Sequence, residues 1–324
     1  MNNNIVQLLL DYNVSKYSFQ QLNGNYHFIN QHVDHIYIIN LESNRIRRNY
    51  IHLIMKKMQI NYELIVVQPP TEIQLQTIKE INGSLTNGEI GCYLSHMFCY
   101  HNAMQNNYKN IIVFEDDIIF HQDFHRLFES IIHQKQYDFL MLGASDYHFR
   151  KYNYRNVNPV LSTYQPQKIN SGILGCHAIY FSKEGYTQMF QERLQYPTFM
   201  DHNLIQFLDY FSHSFSICSP NLIVPELSTT NLSHHIWITN HKKENYYFKK
   251  CFSTTFSFQH YYYLYLDIFQ CITKENIDIE LTFEQNIMTI IALYFSNNSY
   301  HLDNIKRRLR YDFFTVSDLF ELIQ

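Results

Sequence analysis

Blocks of apolar and polar positions follow one another along the first 240 residues and predict strands and helices in turn. Short apolar runs predict buried strands at 35–41, 63–68, 111–117, 139–142 and 173–181. Apolar residues at helical spacing predict helices over about 45–59, 89–105, 122–134 and 201–211, with another after Ser182. Strands that alternate with helices at this spacing indicate βαβ units around a mostly parallel sheet. The predicted fold class is therefore α/β.

Polar residues at the helix starts support these boundaries. Asn44 and Ser182 stand where N-caps are expected, and Thr71 with Gln74 fits a capping box for a further short helix. The apolar face of the 45–59 helix is predicted to consist of Ile46, Tyr50, Leu53, Ile54 and Met58.

The strand over 111–117 ends in three consecutive carboxylates, Glu115, Asp116 and Asp117. Side chains alternate along a strand, so Glu115 and Asp117 are expected on one face and Asp116 on the other. Two carboxylates ~4 Å apart repel by ~4 kcal/mol near a protein surface. A divalent cation or raised carboxylate pKa values would offset that cost, and a solvated acidic turn is the alternative. Ligands of parallel sheets bind beyond the carboxyl ends of the strands, which is where this triplet falls.

The remaining regions suggest three parts. Residues 1–30 are expected to be an N-terminal extension, 31–240 the main domain, and 241–324 an aromatic-rich helical C-terminal appendage that supports self-association, for example as a homodimer. Residues 144–170 are predicted to form a long loop, and long loops in compact domains are often binding lids. Tyr147, Tyr152 and Tyr154 on this loop either stack on a substrate or simply pack.

Composition excludes several classes of protein. Hydrophobic residues make up 46% of the chain and charged residues 17%, which is typical of a globular protein. The net charge of −4 and the absence of a long basic run argue against nucleic-acid binding. The sequence contains neither a signal-peptide pattern nor an apolar span long enough for a membrane, so a cytoplasmic location is expected. The six cysteines contain no Cys-x-x-Cys pair, which argues against a zinc site or a disulfide framework.

Four motifs taken together resemble glycosyltransferase family 25. They are IYIINL at 36–41, NGEIGCYLSH at 87–96, VFEDDI at 113–118 and GCHAIYFSKEG at 175–185. The family includes lipopolysaccharide galactosyltransferases and the procollagen galactosyltransferases that modify hydroxylysine. The resemblance covers about 33–237. It implies a GT-A-like nucleotide-binding fold, a UDP-sugar donor that is usually UDP-galactose, and a divalent cation, usually Mn²⁺ with Mg²⁺ as the alternative.

The resemblance assigns donor-binding roles to residues of the first two motifs and their surroundings. Asn40 leaves the sheet where the uracil or ribose is expected. Arg45 and Arg48 share a helix face that either approaches phosphates or is simply solvated, while Arg47 is expected to be exposed. Gly88 and Glu89 either touch the donor or simply terminate the preceding loop. Ser95 and His96 are expected to contact the sugar or the diphosphate; the alternative is an ordinary core role.

The other two motifs supply the candidate metal and catalytic residues. Asp117 and Glu115 are the expected metal ligands, Asp116 the ribose or sugar contact, and His234 a further metal ligand; His177 is expected to be structural. Asp201 is the candidate general base, with the charge at a helix N-terminus as the alternative. The expected reaction is inverting transfer of galactose or glucose from UDP to a collagen hydroxylysine or a glycan hydroxyl. A metal-dependent phosphohydrolase and a noncatalytic nucleotide-sugar-binding module are the rivals.

Overall fold

The computed structural model describes residues 3–19, 28–121, 123–146, 162–165, 173–201, 204–211, 213–219 and 221–225. The predicted appendage at 241–324, the candidate ligand His234 and the three loop tyrosines lie outside these residues. The three-part division of the chain stays a prediction.

Helices and strands alternate along most of the described chain. The helices are α1 (Asn3–Leu10), α2 (Phe28–His32), α3 (Arg45–Met58), α4 (Glu72–Ile81), α5 (Asn87–Asn106), α6 (Phe124–Ile132) and α7 (Lys183–Gln195), with a 3₁₀ helix at Leu204–Asp209. The strands are β1 (Val14–Phe19), β2 (His35–Leu41), β3 (Tyr62–Val67), β4 (Asn110–Glu115), β5 (Ile118–Phe120), β6 (Phe139–Met141), β7 (Ser145–Asp146), β8 (Ser162–Tyr164), β9 (Ile173–Leu174), β10 (Ala178–Ser182), β11 (Phe215–Ser219) and β12 (Ile223–Pro225).

An eight-stranded sheet forms the centre of the described fold, in the order β1-β3-β2-β4-β10-β6-β11-β8. The pairings of β3 with β2, β2 with β4 and β6 with β11 are parallel, and the others are antiparallel. Five strands (β2, β3, β4, β6 and β11) consequently run in one direction and three run against them. The predicted α/β class with a mostly parallel sheet is confirmed, and this arrangement is consistent with a GT-A-like fold.

Both faces of the sheet are covered, as expected for near-continuous apolar strands. On β2, Ile36 and Ile38 pack into one core with α3 and α6, whereas Tyr37 packs into the other core with α1, α5 and α7. The alternation of side chains along a strand explains this division. Packing on both faces holds β2 and β4 in place, so that groups at their carboxyl ends have defined positions.

The predicted helix caps are confirmed. The Asn44 side chain accepts from the Arg47 N–H at the start of α3, and Ser182 accepts from Gly185 at the start of α7. Thr71 and Gln74 form the predicted capping box of α4. None of the helices in the described part of the chain is long and apolar enough to cross a membrane.

The structure differs from the prediction in one strand and one helix. The strand expected over 173–181 is divided into β9 and β10, because Gly175 adopts a φ of 106° in the left-handed region and breaks the extended run. The helix expected over 201–211 is a shorter 3₁₀ helix at Leu204–Asp209, and Asp201 lies in the turn before it. Residues 14–19, within the expected N-terminal extension, form an edge strand paired with β3.

Strand β12 pairs with the short strand that follows the acidic triplet. This strand is β5, which begins immediately after Asp117. The N–H groups of Leu222 and Ile223 both donate to Leu142 O, at 2.8 and 3.2 Å, so β12 starts against the end of β6. This close approach requires glycine at position 143, since a Cβ there would lie 1.8 Å from Ile223 O.

Replacing Gly143 with alanine is expected to lower the free energy of unfolding by about 1–3 kcal/mol, the usual cost of overpacking an interior. Gly83→Ala is the matched control, because its added Cβ would meet nothing closer than Lys79 O at 3.5 Å. Urea unfolding followed by circular dichroism measures both. Equal stability of the two variants would contradict the close packing at position 143.

Candidate active site

The candidate site lies where the parallel strands β2 and β4 end beside each other. Ile39 of β2 is in register with Glu115 of β4, so Asn40 and the acidic triplet leave the sheet together. Parallel sheets bind ligands at such carboxyl ends. Helix α3 starts only four residues after β2, which brings its first turn to the same edge.

A buried polar network joins Asn40 to the triplet. Asn40 is fully buried, and its Nδ2 donates to Asp116 Oδ2 at 2.6 Å and to Asn44 O at 3.1 Å. Arg48 Nε donates to Asn40 Oδ1 at 2.8 Å. Asn40 therefore links β2, α3 and the end of β4, and its amide orientation is set by these partners.

Arg47 is buried, contrary to the prediction that it is exposed. Its Nη1 donates to Asp116 Oδ1 at 2.9 Å and to Asp117 Oδ2 at 3.4 Å, and only 6% of the residue is accessible to solvent. A charge removed from water requires a paired partner. The two aspartates supply it and determine where the guanidinium lies.

The triplet is divided between two environments, so the strict alternation expected for it is wrong. Strand β4 ends at Glu115, and Asp116 and Asp117 lie in the turn before β5. Both aspartates contact Arg47, whereas Glu115 Oε1 accepts from His96 Nε2 at 3.1 Å. The strand period applies only while the chain stays extended.

The divided environments push the pKa values of the neighbouring carboxyls apart. Burial raises the pKa of Asp116, and Arg47 and Asn40 offset only part of that increase. Burial also raises the pKa of Glu115, but the hydrogen bond and charge of His96, with His177 and Arg47, bring it below the ordinary value. Glu115 is therefore the more readily ionised of the two.

His96 and Cys92 on α5 face Glu115. They are four residues apart and share a helix face. His96 is 1% exposed, its Nδ1 lies 3.4 Å from the Tyr100 hydroxyl, and the Cys92 thiol lies 3.8 Å from Glu115 Oε1. The predicted sugar or diphosphate contact of His96 stays a prediction. In the structure His96 contacts the triplet from within the core.

Asp201 reaches the same region from the turn after α7. Its Oδ2 accepts from the N–H of Gly175 at 3.0 Å, at the point where the chain is interrupted between β9 and β10. Burial raises the pKa of Asp201, the Gly175 N–H offsets part of the increase, and the charge of Glu115 adds to it. Asp201 and Glu115 therefore lie near enough to interact electrostatically.

Most of the other residues predicted to contact the sugar donor form hydrogen bonds within the protein itself. Ser95 Oγ donates to Gly91 O at 2.6 Å and lies 3.2 Å from the Tyr12 hydroxyl, inside the core. Glu89 closes a capping box with Thr86 at the start of α5, and Gly88 lies in the same first turn. Arg45 is exposed, and Arg48 Nη2 donates to Glu42 O at 2.8 Å.

His177 is buried beside the triplet in the interruption between β9 and β10, not inside a strand as predicted. Burial lowers its pKa to about 4, so it is neutral near pH 7. Its Nε2 lies 2.9 Å from where a Cβ on Gly143 would stand. This close packing agrees with the structural role expected for it.

A hard divalent cation fits the carboxylates of the turn. Arg47 brings one positive charge against the two aspartates it contacts, so the ionised pair keeps a net negative charge. Carboxylate oxygens are the ligands that Mn²⁺ and Mg²⁺ prefer. Asp117 follows Asp116 in this turn with its side chain 13% exposed, and its predicted role as a metal ligand stays a prediction.

Comparison with known proteins agrees with the motifs. Residues 33–275 match the model of "Glycosyltransferase family 25 (LPS biosynthesis protein)". A Haemophilus influenzae protein provisionally named a glycosyltransferase is 36% identical over 92 residues, 26% of this chain and 32% of that protein. "Procollagen galactosyltransferase 1-A" of Xenopus laevis is 26% identical over 128 residues, 34% of this chain and 21% of that protein.

A relative named as inactive also matches. "Inactive glycosyltransferase 25 family member 3" of Mus musculus is 37% identical over 65 residues, 18% of this chain and 11% of that protein. The chain thus spans at most about a third of the length of the curated relatives described here. Similarity to them therefore bears on the shared domain and not on the whole of their activities.

Arg47→Met is expected to lower the free energy of unfolding by about 3–5 kcal/mol, because it leaves the buried Asp116 carboxylate without its cation. Arg48→Met is the matched control. It removes hydrogen bonds from a half-buried side chain and is expected to cost about 1–2 kcal/mol. Urea unfolding near pH 7 measures both values.

Adding Asp116→Asn to Arg47→Met tests the cause. The double variant no longer carries the Asp116 charge and leaves only Asp117 without its cation, so part of the lost stability is expected to return. Strictly additive losses from the two substitutions would show that the ion pair is not what couples these positions.

Proposed function

Because the chain belongs to glycosyltransferase family 25, we propose that it transfers galactose from UDP-galactose to an acceptor hydroxyl, in a reaction that depends on a divalent cation and inverts the anomeric centre. The glycosyltransferase class follows from the family. The donor, the metal and the stereochemistry are the proposal.

One observation supports this proposal more than any other: the Asn40–Asp116–Arg47 network at the ends of β2 and β4. Asp116 uses one carboxylate oxygen for Asn40 and the other for Arg47, so its orientation is fixed before any ligand binds. A carboxylate held in one orientation at the edge of the sheet, as Asp116 is, suits recognition of ribose or sugar hydroxyls. Asn40 and Asp116 are accordingly assigned to the nucleoside end of the donor.

Asp117, with Glu115 as a second ligand, would hold the cation. When bound there, Mn²⁺ or Mg²⁺ supplies positive charge that stabilises the departing diphosphate. His234 keeps its proposed role as a further ligand from the end of the domain. Arg47 holds Asp116 and Asp117 in place and limits their mutual repulsion.

Asp201 is assigned the acceptor side of the reaction. Its carboxylate takes the proton of the acceptor hydroxyl while that oxygen forms a bond to the anomeric carbon. The bond from the anomeric carbon to the diphosphate oxygen breaks, and UDP leaves with the electron pair. A single displacement of this kind inverts the configuration. The raised pKa of Asp201 makes it a stronger base than an ordinary aspartate.

Two acceptor classes are compatible with these residues. The Xenopus relative is named for procollagen, which favours a hydroxylysine peptide, whereas the family description refers to lipopolysaccharide, which favours a glycan hydroxyl. A noncatalytic module is the second candidate function, since a mouse relative is named as inactive. These possibilities differ in what becomes of UDP-galactose.

The decisive experiment incubates the full chain with UDP-galactose and Mn²⁺, together with a hydroxylysine collagen peptide or a lipopolysaccharide-type oligosaccharide. Mass spectrometry is expected to show one hexose added to one of the acceptors, with UDP released in equal amount. UDP-glucose in a parallel reaction tests the donor. Release of inorganic phosphate without hexose transfer would indicate a phosphohydrolase, and donor binding with no product would indicate a binding module.

Asp117→Ala is expected to reduce hexose transfer by about 10²–10³-fold, the usual effect of removing one group that stabilises charge in the transition state. Asp123→Ala is the matched control, because Asp123 is surface-exposed and pairs with Arg126 at 3.3 Å. Retained circular dichroism shows that both variants are folded. Full transfer by Asp117→Ala would overturn the metal assignment.

Asp201→Asn is expected to lower kcat by about 10²–10⁴-fold, the usual contribution of a general base. Because the pKa of Asp201 is raised, the carboxylate is lost as pH falls through a higher value than usual. Activity of the parent protein should therefore rise with pH through that value, and the Asn variant should lose this limb of the profile. An unchanged pH profile in the variant would remove Asp201 from this role.

A further inference from the structure

A second group of potential metal ligands lies on the α5 side of the triplet: the Cys92 thiol, the His96 imidazole and the Glu115 carboxylate. Their Sγ, Nε2 and carboxylate oxygen atoms all lie within 4.8 Å of one another. The first two come from one face of α5 and the third from the end of β4. The Cys-x-x-x-His spacing contributes one ligand pair, as two residues one helical turn apart do in other metal sites.

The distances suit a tetrahedral transition-metal ion. Bond lengths of ~2.3 Å to sulfur and ~2.0–2.2 Å to nitrogen and oxygen place the ligand atoms of tetrahedral zinc about 3.3–3.6 Å apart. In the structure His96 Nε2 lies 3.1 Å and Cys92 Sγ 3.8 Å from Glu115 Oε1. The ligand atoms of Cys92 and His96 lie within 4.8 Å of each other, so side-chain rotation brings this pair closer when the ion binds.

The surroundings also match those of a metal-binding histidine. When Nε2 ligates, the other ring nitrogen usually donates to a fixed partner. The Tyr100 hydroxyl lies 3.4 Å from His96 Nδ1 and is itself fully buried. His96 is thus held with Nε2 toward Glu115, while the Glu115 side chain is 26% exposed and leaves a route for the ion.

We propose that Cys92, His96 and Glu115 form a three-ligand binding site for a borderline transition-metal ion such as Zn²⁺, adjacent to the hard-cation site assigned to Asp117 and Glu115. Thiolate and imidazole ligands favour Zn²⁺ over Mn²⁺ or Mg²⁺, whereas the aspartates of the turn favour the reverse. Glu115 is the residue shared by the two sites. Occupation by Zn²⁺ would therefore withdraw Glu115 from the neighbouring cation. Three protein ligands leave the fourth position for water.

Cobalt binding tests the proposal without any turnover, so its outcome does not depend on the proposed function. Co²⁺ substitutes for Zn²⁺ in such sites and gives thiolate charge-transfer absorption when a cysteine is bound. The full chain titrated with Co²⁺ under reducing conditions should develop that band, and added Zn²⁺ should remove it. Absence of the band would overturn the proposal.

Cys92→Ser assigns the ligand. It keeps the size of a half-buried side chain, and it is expected to abolish the charge-transfer band and to weaken Zn²⁺ binding at least tenfold. Cys99→Ala is the matched control, since Cys99 is a buried thiol on the same helix outside the group, and the band should persist. A band that survives in Cys92→Ser would place the metal on other thiols and sink the proposal.

Glu115→Gln provides an independent check on the third ligand. The amide has nearly the shape of the carboxylate but is a poor ligand for Zn²⁺, so affinity should fall while the thiolate band remains. Unfolding midpoints measured without metal show whether each variant keeps its fold. Unchanged Zn²⁺ affinity in a folded Glu115→Gln variant would mean that Glu115 is not a ligand.

Discussion

The pairing of Arg47 with the aspartates of the β4–β5 turn is the interaction on which this site depends. Removing a guanidinium and a carboxylate from water costs several kcal/mol each, and only close pairing with additional hydrogen bonds repays that cost. Asp116 satisfies both conditions, because Arg47 and Asn40 each take one of its oxygens. Three elements, β2, α3 and the turn after β4, are thereby fixed to one carboxylate.

This arrangement gives adjacent carboxylates different properties, although they are consecutive in the chain. Asp116 is buried with a fixed cation, and Glu115 is partly exposed against a histidine from α5. Neighbouring acids with divergent pKa values are typical of sites where one group orients and another reacts or binds. The abrupt end of β4 at Glu115 makes the division possible, because the following turn no longer obeys the strand alternation.

Local features of the sequence predicted much of the fold. The caps at Asn44 and Ser182 and the buried strands β2 and β4 depend on short-range rules. Arg47 was missed because the predicted apolar face of α3 did not include it, although Ile54 and Met58 of that face are buried as expected. Ile51, Ile54, Met55 and Met58 are buried, and Arg47 stands four residues before the first of them. The 3.6-residue period therefore places Arg47 on the inward face.

Contacts between distant segments could not be read from the sequence. Asp201 meets the Gly175 N–H at the point where a left-handed glycine interrupts what looked like one strand. The link between Cys92, His96 and Glu115 depends on how α5 lies across β4. No cysteine spacing encodes this link, because a Cys-x-x-Cys pattern reports only on ligand pairs that are close in the chain.

Burying charged side chains at the ends of β2 and β4 costs stability. This cost bears on whether the chain is an enzyme, since the family includes relatives named as inactive. A buried ion pair often adds less stability than well-packed apolar side chains of similar volume would. The pKa values of Asp116 and Asp201 are both raised by burial, so each carboxylate is held where ionisation is disfavoured. If these carboxylates had no role beyond packing, apolar side chains in their place would make the fold more stable. Buried carboxylates grouped at the end of a parallel sheet therefore favour the proposed enzyme over the noncatalytic module.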